Sequence, residues 1–144
     1  MRELTVPDFF QQETAAALRS QVRWLAEKVG ADDSFFARLV GTDESTFSDW
    51  CEDSAVLPSG GEEILRDLWR TVLHLLSFLN FDEPRVRDLF VKKMPACLPG
   101  RETPLTPPWS GTNLKDYLER NRTAGIEKVD GWVTGLRFGD PYAV

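Results

Sequence analysis

Apolar residues recur along most of the chain at the spacing of helices that bury one face. The first such segment spans 8–29, with Leu18, Val22 and Leu25 on its apolar side, and Gly30 follows as a stop signal. The sequence contains no run of alternating β-branched residues bounded by hairpin turns. The pattern therefore predicts an all-α fold.

Two short helices joined by a glycine follow the first segment. The pattern predicts one helix over 33–40 and a second over 45–52, which Ser45 would cap. A small residue, a turn glycine and two apolar anchors at this spacing form the framework of an Xre-like helix-turn-helix over about 33–52. The framework residues are Ala37, Gly41, Phe47 and Trp50.

The most apolar helix is predicted from Glu62 to about Asn80. Its polar residues form one narrow stripe, so this helix should lie centrally, with the helix-turn-helix corner packed on it. His74 belongs to the polar stripe, which favours a solvent-exposed or capping role over catalysis. A further helix is predicted over 84–92.

Residues 94–112 contain five prolines, which are incompatible with a regular helix. Two interpretations compete for this segment. It is either a flexible linker between subdomains or an ordered strap pinned by Leu98, Leu105 and Trp109. The strap is favoured because linkers seldom carry so many apolar residues.

Two amphipathic helices are predicted after the strap, over 113–120 and 124–138. The chain then divides into a helical domain over 1–93, the Pro-rich strap and a small C-terminal helical region over 113–144. The sequence shows no internal repeat that would suggest a solenoid.

The charge of −6 is concentrated at the predicted corner. Residues 41–63 hold seven acids and no Lys or Arg, whereas the remainder holds 16 acids and 17 bases. Binding duplex DNA requires cations against phosphates and polar side chains at base edges. The segment is therefore either a solvated face or a surface for a basic partner, and DNA binding stays the alternative. The residues suited to touch bases are Ser45, Thr46 and Ser48.

The bases elsewhere alternate with acids, which is typical of solvated faces, although they would be the first to contact DNA. They are Arg85, Arg87, Lys92, Lys93, Arg120 and Arg122.

Other function classes leave little trace in the sequence. It has no phosphate loop, nucleophile motif or metal-ligand spacing, which predicts a protein that is not an enzyme and uses no metal or cofactor. Charged residues interrupt its most apolar stretch, which argues against a membrane span. The first residues lack an export signal, so Cys51 and Cys97 are expected to be reduced thiols in a cytoplasmic protein.

Three segments carry a resemblance to a known family: FFARLVGTDESTFSDW, ILRDLWRTVLHLLSFL and GIEKVDGWVTGLRFGDPYAV. Together with the Pro/Gly loop between them, their order resembles that of the Xre/MbcA/ParS antitoxins over roughly 30–144. Such antitoxins carry a C-terminal toxin-binding domain and neutralise RES-domain toxins. The chain departs from the family in its long Pro-rich strap, its acidic corner and its N-terminal helix.

The resemblance implies inhibition of an NAD-consuming RES-domain toxin by contact through the last helix and tail. Aromatic anchors and a stiff Gly-Asp-Pro turn suit such docking. The other interpretation of the tail is a plain terminus whose tyrosine folds back on the core. A homodimer is possible, and the alternative function is a helix-turn-helix transcription regulator. The implicated tail residues are Arg137, Phe138, Gly139, Asp140, Pro141, Tyr142 and Val144.

Overall fold

The computed structural model describes residues 8–103 and 105–137, and within these ranges it contains helices and no strand. The prediction of an all-α fold is therefore confirmed. A short 3₁₀ helix spans Asp8–Gln11. The α-helices are α1 (Ala15–Lys28), α2 (Asp33–Val40), α3 (Glu44–Cys51), α4 (Gly61–Phe78), α5 (Glu83–Val91) and α6 (Leu114–Arg137).

The first α-helix is shorter than the sequence predicted. The predicted span of 8–29 is wrong, because the Thr14 hydroxyl accepts a hydrogen bond from the Ala17 N–H at 3.0 Å and so caps a helix that begins at Ala15. Such a side-chain cap satisfies one of the free N–H groups of the first turn. The residues before it form the separate 3₁₀ helix.

Three aromatic rings join the 3₁₀ helix to α1 and α4. The rings of Phe10, Trp24 and Trp69 meet edge to face, with centroids 4.9 to 5.7 Å apart. The Trp69 indole N–H donates to the Phe10 carbonyl at 2.9 Å, and the buried Gln21 amide donates to two other carbonyls of the same segment. This geometry stabilises aromatic pairs beyond their burial, so it holds the N-terminal segment on the core.

Helix α4 is the centre of the fold, as the sequence predicted. It packs against α1, α2, α5 and α6, and its buried side chains recur three and four positions apart along the helix. Such spacing places them on one wide face, which the surrounding helices cover. The buried residues are Gly61, Leu65, Leu68, Trp69, Thr71, Val72, Leu75 and Leu76.

Helices α2 and α3 form a tight corner on α4, referred to below as the α2–α3 corner. Gly41 ends α2 with φ of +83°, a left-handed conformation that favours glycine. The rings of Phe36 and Phe47 stack with centroids 5.2 Å apart, and Trp50 lies beside Phe47 at 5.9 Å. All three rings are fully buried, so the corner is a packing unit of the core.

The N-terminal cap of α3 differs from the predicted one. The Asp43 carboxylate accepts a hydrogen bond from the Thr46 N–H at 2.6 Å, so α3 begins at Glu44. Ser45 lies inside the helix and is exposed, so the prediction that it caps the helix is wrong. Aspartate competes well for this position because its charge also complements the positive end of the helix dipole.

The Pro-rich segment 94–112 contains no helix among its described residues, and one of these residues has a fully buried side chain. Trp109 is 1% exposed and its ring meets that of Trp132 edge to face at 5.1 Å. Leu98 and Leu105 are 68% and 57% exposed, so the prediction that they pin the strap is wrong. One indole offers enough apolar area to anchor the loop without them.

Hydrogen bonds tie the two ends of this segment to each other. The Met94 N–H donates to the Thr112 carbonyl at 3.0 Å, and the Cys97 N–H donates to the Ser110 hydroxyl at 2.9 Å. These contacts satisfy backbone groups that a proline-rich segment cannot pair in regular structure.

Helix α6 is bent at one residue. Arg122 has φ of +50° and ψ of −128°, which no α-helix contains, so Leu114–Arg137 consists of two arms that meet there. The first arm is residues 114–121 and the second arm is residues 123–137. The two helices that the sequence predicted in this region correspond to these arms.

Small and polar residues shape the bend. The Asn121 side-chain amide donates to the Tyr117 carbonyl at 2.8 Å, which provides that carbonyl with a partner. A Cβ atom on Gly125 would lie only 2.8 Å from the Cβ of Asn121. Glycine at this position therefore permits the close approach of the two arms.

Candidate functional site

The outward side of α3 is the predicted site for contact with nucleic acid. Ser45 is exposed, whereas Thr46 and Ser48 are half-buried, so the three predicted base-contacting residues are unequally accessible. The helix has no Lys or Arg in its sequence. The exposed acids on and beside its first turns are Asp43, Glu44 and Asp49.

Arg19 of α1 closes the C-terminal end of α3. Its Nε donates to the Trp50 carbonyl at 2.7 Å, and its guanidinium lies 5.1 Å from the centre of the Trp50 ring. The same guanidinium donates to the Asp53 carboxylate at 3.0 Å. The last carbonyls of a helix have no partner within it, so Arg19 acts as a cap from a distant helix.

Arg122 closes the C-terminal end of α2 in the same way. Its Nε donates to the Leu39 carbonyl at 3.0 Å. Its guanidinium nitrogen Nη2 lies 3.2 Å from the position that a Cβ atom on Gly41 would occupy. The sequence interpretation of Arg122 as part of a solvated face missed this role, because nothing local to the residue indicates a contact 83 positions away.

Part of the acidic segment is neutralised within the chain. Arg23 pairs with Glu52 at 2.8 Å, and Arg66 pairs with Glu62 at 3.4 Å. With the Arg19 contact to Asp53, three acids in the second half of the segment have cationic neighbours. The first part of the segment, with Asp43, Glu44 and Asp49 on the outward side of α3, keeps its negative charge exposed.

Ion pairs also fix the first arm of α6 along α2. The Lys115 ammonium lies 3.4 Å from the Asp32 carboxylate, at the N-terminal cap of α2. Arg38 lies 3.5 Å from Glu119 near the other end of α2, next to the Arg122 contact. The contacts therefore follow α2 from its first residue to its last turn.

Hydrogen bonding and burial shift two ionisable groups near the corner. Hydrogen bonds from the Thr46 backbone N–H and then from its side chain lower the pKa of Asp43 below its ordinary value. Burial raises the pKa of the Cys51 thiol, so little of its thiolate is present at neutral pH. Cys51 and Cys97 are both free thiols.

His74 makes a contact that the sequence did not indicate. Its Nδ1 lies 2.6 Å from the Asp130 carboxylate, and the Thr71 hydroxyl lies 3.5 Å from the same oxygen. The imidazole is half-buried between α4 and the second arm of α6, instead of the solvent-exposed or capping position predicted. This polar contact connects the second arm to the central helix.

A pocket of about 130 Å³ lies between the N-terminal segment and α4. Two of its lining residues, Arg66 and Arg70, are engaged by Glu62 and Asp67 at 3.4 and 3.3 Å, which offsets their charge. In the described part of the chain, no cluster of His, Cys, Asp or Glu side chains could hold a metal ion. The remaining lining residues are Phe10, Gln12, Glu13, Gln21, Trp69 and Leu73.

The predicted partner-binding tail falls mostly outside the described residues. Arg137 is the last residue of α6, and nothing is described of its side chain. The other members lie beyond it: Phe138, Gly139, Asp140, Pro141, Tyr142 and Val144.

No protein-family model and no curated protein matches this chain. Between residues 8 and 137, apart from 104, none of the helices has the length and apolarity that a membrane crossing requires.

Proposed function

We propose that this chain acts by binding another protein, as an antitoxin-like inhibitor of a RES-domain toxin. The support for the toxin class is the sequence resemblance to Xre/MbcA/ParS antitoxins. In this proposal the second arm of α6 and the tail from Arg137 to Val144 make the inhibitory contact. The protein works without catalysis, cofactor or metal, in the cytoplasm, as a monomer or homodimer.

The observation that favours a protein partner over a nucleic acid is the set of contacts that two arginines make at the α2–α3 corner. Arg19 and Arg122 donate to the carbonyls that end α3 and α2, at 2.7 and 3.0 Å. The Nε of each guanidinium is therefore engaged within the chain. Helix α3 itself carries exposed carboxylates and no Lys or Arg, where duplex binding needs cations.

The exposed acids of α3 favour a partner with a basic surface. Asp43, Glu44 and Asp49 are exposed, and the first of these is fixed as a helix cap. Opposite charges across an interface raise the association rate and select the correct partner. We therefore assign α3 a secondary role in steering the partner, with the C-terminal region providing the main contact.

The proposal is tested by coexpressing the full chain with a RES-domain toxin and measuring cell growth. The full chain should restore growth, whereas a variant lacking Asp140–Val144 should lose the rescue and keep its helical circular dichroism. A variant with Glu44→Gln and Asp49→Asn should still rescue but bind more slowly. Undiminished rescue by the truncated, folded variant would rule out the tail contact.

A second candidate function is a helix-turn-helix transcription regulator, because Ser45 is exposed near the start of α3. Base contacts in such proteins come from the N-terminal residues of the second helix. A regulator of this kind would bind duplex DNA with an affinity that falls steeply with salt. Such a response, together with loss of binding on Ser45→Ala, would favour this candidate.

A further inference from the structure

The bend of α6 places an arginine in a conformation that disfavours it. Arg122 has φ of +50°, where the Cβ of any residue other than glycine is crowded by its own backbone. A residue persists in such a conformation only when its surroundings hold it there. The hydrogen bond from Arg122 Nε to the Leu39 carbonyl is the long-range polar contact that this side chain makes with the described residues.

The two arms that meet at Arg122 have different polar neighbours. The first arm is bound to α2 through Lys115 and Glu119. The second arm contacts α4, where Asp130 lies 2.6 Å from His74. Arg122 stands between these attachments, so its backbone angles determine the direction of the second arm relative to α2.

We infer that Arg122 is a positioning residue that couples the direction of the second arm to the turn of the α2–α3 corner. With its guanidinium on Leu39, the bend is maintained. Without that contact, Arg122 relaxes to helical angles and the two arms approach one continuous helix. The protein region around Arg122 therefore has two states: one with the contact and the bend, and one with neither.

The turn between α2 and α3 responds to movement of the second arm because the Arg122 side chain lies against Gly41, the glycine with left-handed backbone angles in this turn. Its Nη2 is 3.2 Å from the place of a Cβ atom on Gly41. The amides of Gly41 and Thr42 both donate to the Ala37 carbonyl at 2.9 Å, which closes the end of α2. Any ligand that moves the second arm therefore alters this turn, whatever partner the chain binds.

Amide hydrogen exchange on the full chain tests the coupling. In Arg122→Ala, the amides of Gly41 and Thr42 should exchange roughly tenfold faster, because the charge-assisted hydrogen bond to Leu39 is lost. Amides over 122–126 should exchange more slowly, because helical hydrogen bonds now form there. The amide of Leu25, in the core of α1, should be unchanged.

Two further variants distinguish a positioning role of Arg122 from a general loss of stability. Arg120→Ala, in the same helix at an exposed residue that forms no ion pair with any described residue, should leave both regions unchanged. Arg122→Gly tolerates the positive φ, so it should accelerate exchange at the turn and leave the bend as it is.

Opposite changes at the turn and the bend in Arg122→Ala support the inference. Equal acceleration at Leu25 and Gly41, or a response like that of Arg120→Ala, overturns it. Faster exchange at the turn without slower exchange over 122–126 also overturns it, because the bend would then not depend on the contact.

Discussion

The Nε of Arg19 lies 2.7 Å from the carbonyl oxygen of Trp50, and the guanidinium also covers the face of the Trp50 ring. This arginine of α1 thus completes the end of a helix 31 residues away in the sequence. Arg122 does the same for α2. Two arginines from other helices thus close the C-terminal ends of α3 and α2 at the corner.

The Arg19 cap predicts unequal effects of two neighbouring arginines. Arg19→Ala should lower the free energy of unfolding by about 1.5–3 kcal/mol, the range for hydrogen bonds to charged groups. Arg23→Ala, which removes only the pair with Glu52, should cost about 0–1 kcal/mol, because that pair is at the surface. Urea unfolding of both variants measures the difference, and equal losses would contradict the capping role.

The contact between Arg122 and Gly41 predicts that replacing a glycine by alanine destabilises the fold more at position 41 than at position 60. Gly41 and Gly60 have φ of +83° and +81°, but no atom lies within 4 Å of a Cβ on Gly60. Gly60→Ala should therefore lose about 1–2 kcal/mol from its left-handed backbone alone. Gly41→Ala should lose more, because its methyl group meets the guanidinium.

Unfolding by urea in a second background provides the control for this pair. In Arg122→Ala, the additional loss at Gly41 should disappear, because coupled residues deviate from additivity. If Gly41→Ala and Gly60→Ala are equally destabilising in the native background, Arg122 does not press on the turn.

The packing of the Pro-rich strap on the core predicts that one apolar residue of the strap contributes far more to the free energy of unfolding than another. Trp109→Ala should lower the free energy of unfolding by about 3–5 kcal/mol, as for other buried tryptophans. Leu98→Ala should change it by less than about 0.5 kcal/mol, because that side chain is exposed. Similar losses in thermal unfolding for both variants would mean that the strap is held differently.

Local sequence patterns were sufficient to predict the helices whose ends are determined by neighbouring residues. Gly41 marks the end of α2, and the apolar circumference of α4 predicted its central position. The start of α1 was missed because the Thr14 cap competes with a continuous apolar pattern. The roles of Arg19 and Arg122 could not be predicted, because their acceptors are backbone carbonyls brought close by the fold.

The Asp43 cap predicts a specific dependence of stability on pH. The pKa of Asp43 is lowered in the folded chain, so its ionised cap stabilises the fold above its unfolded pKa of about 3.9. That contribution is lost as the pH falls through the lower, folded pKa. Asp43→Asn keeps a capping oxygen but has no charge to titrate.

Thermal unfolding between neutral and acidic pH measures this contribution. The native chain should lose more stability than Asp43→Asn as the pH falls below about 3.9. Identical pH profiles for the two chains would show that the charge of Asp43 does not support the cap.

The choice between a protein partner and a nucleic acid is tested by the fluorescence anisotropy of a labelled DNA duplex titrated with the full chain at low salt. We expect no saturable rise, because the exposed carboxylates of α3 repel phosphates and the Nε atoms of the nearby Arg19 and Arg122 are bonded to carbonyls within the chain. A saturable rise that weakens steeply as salt is added would contradict it, since such binding requires cations that the corner presents to phosphates.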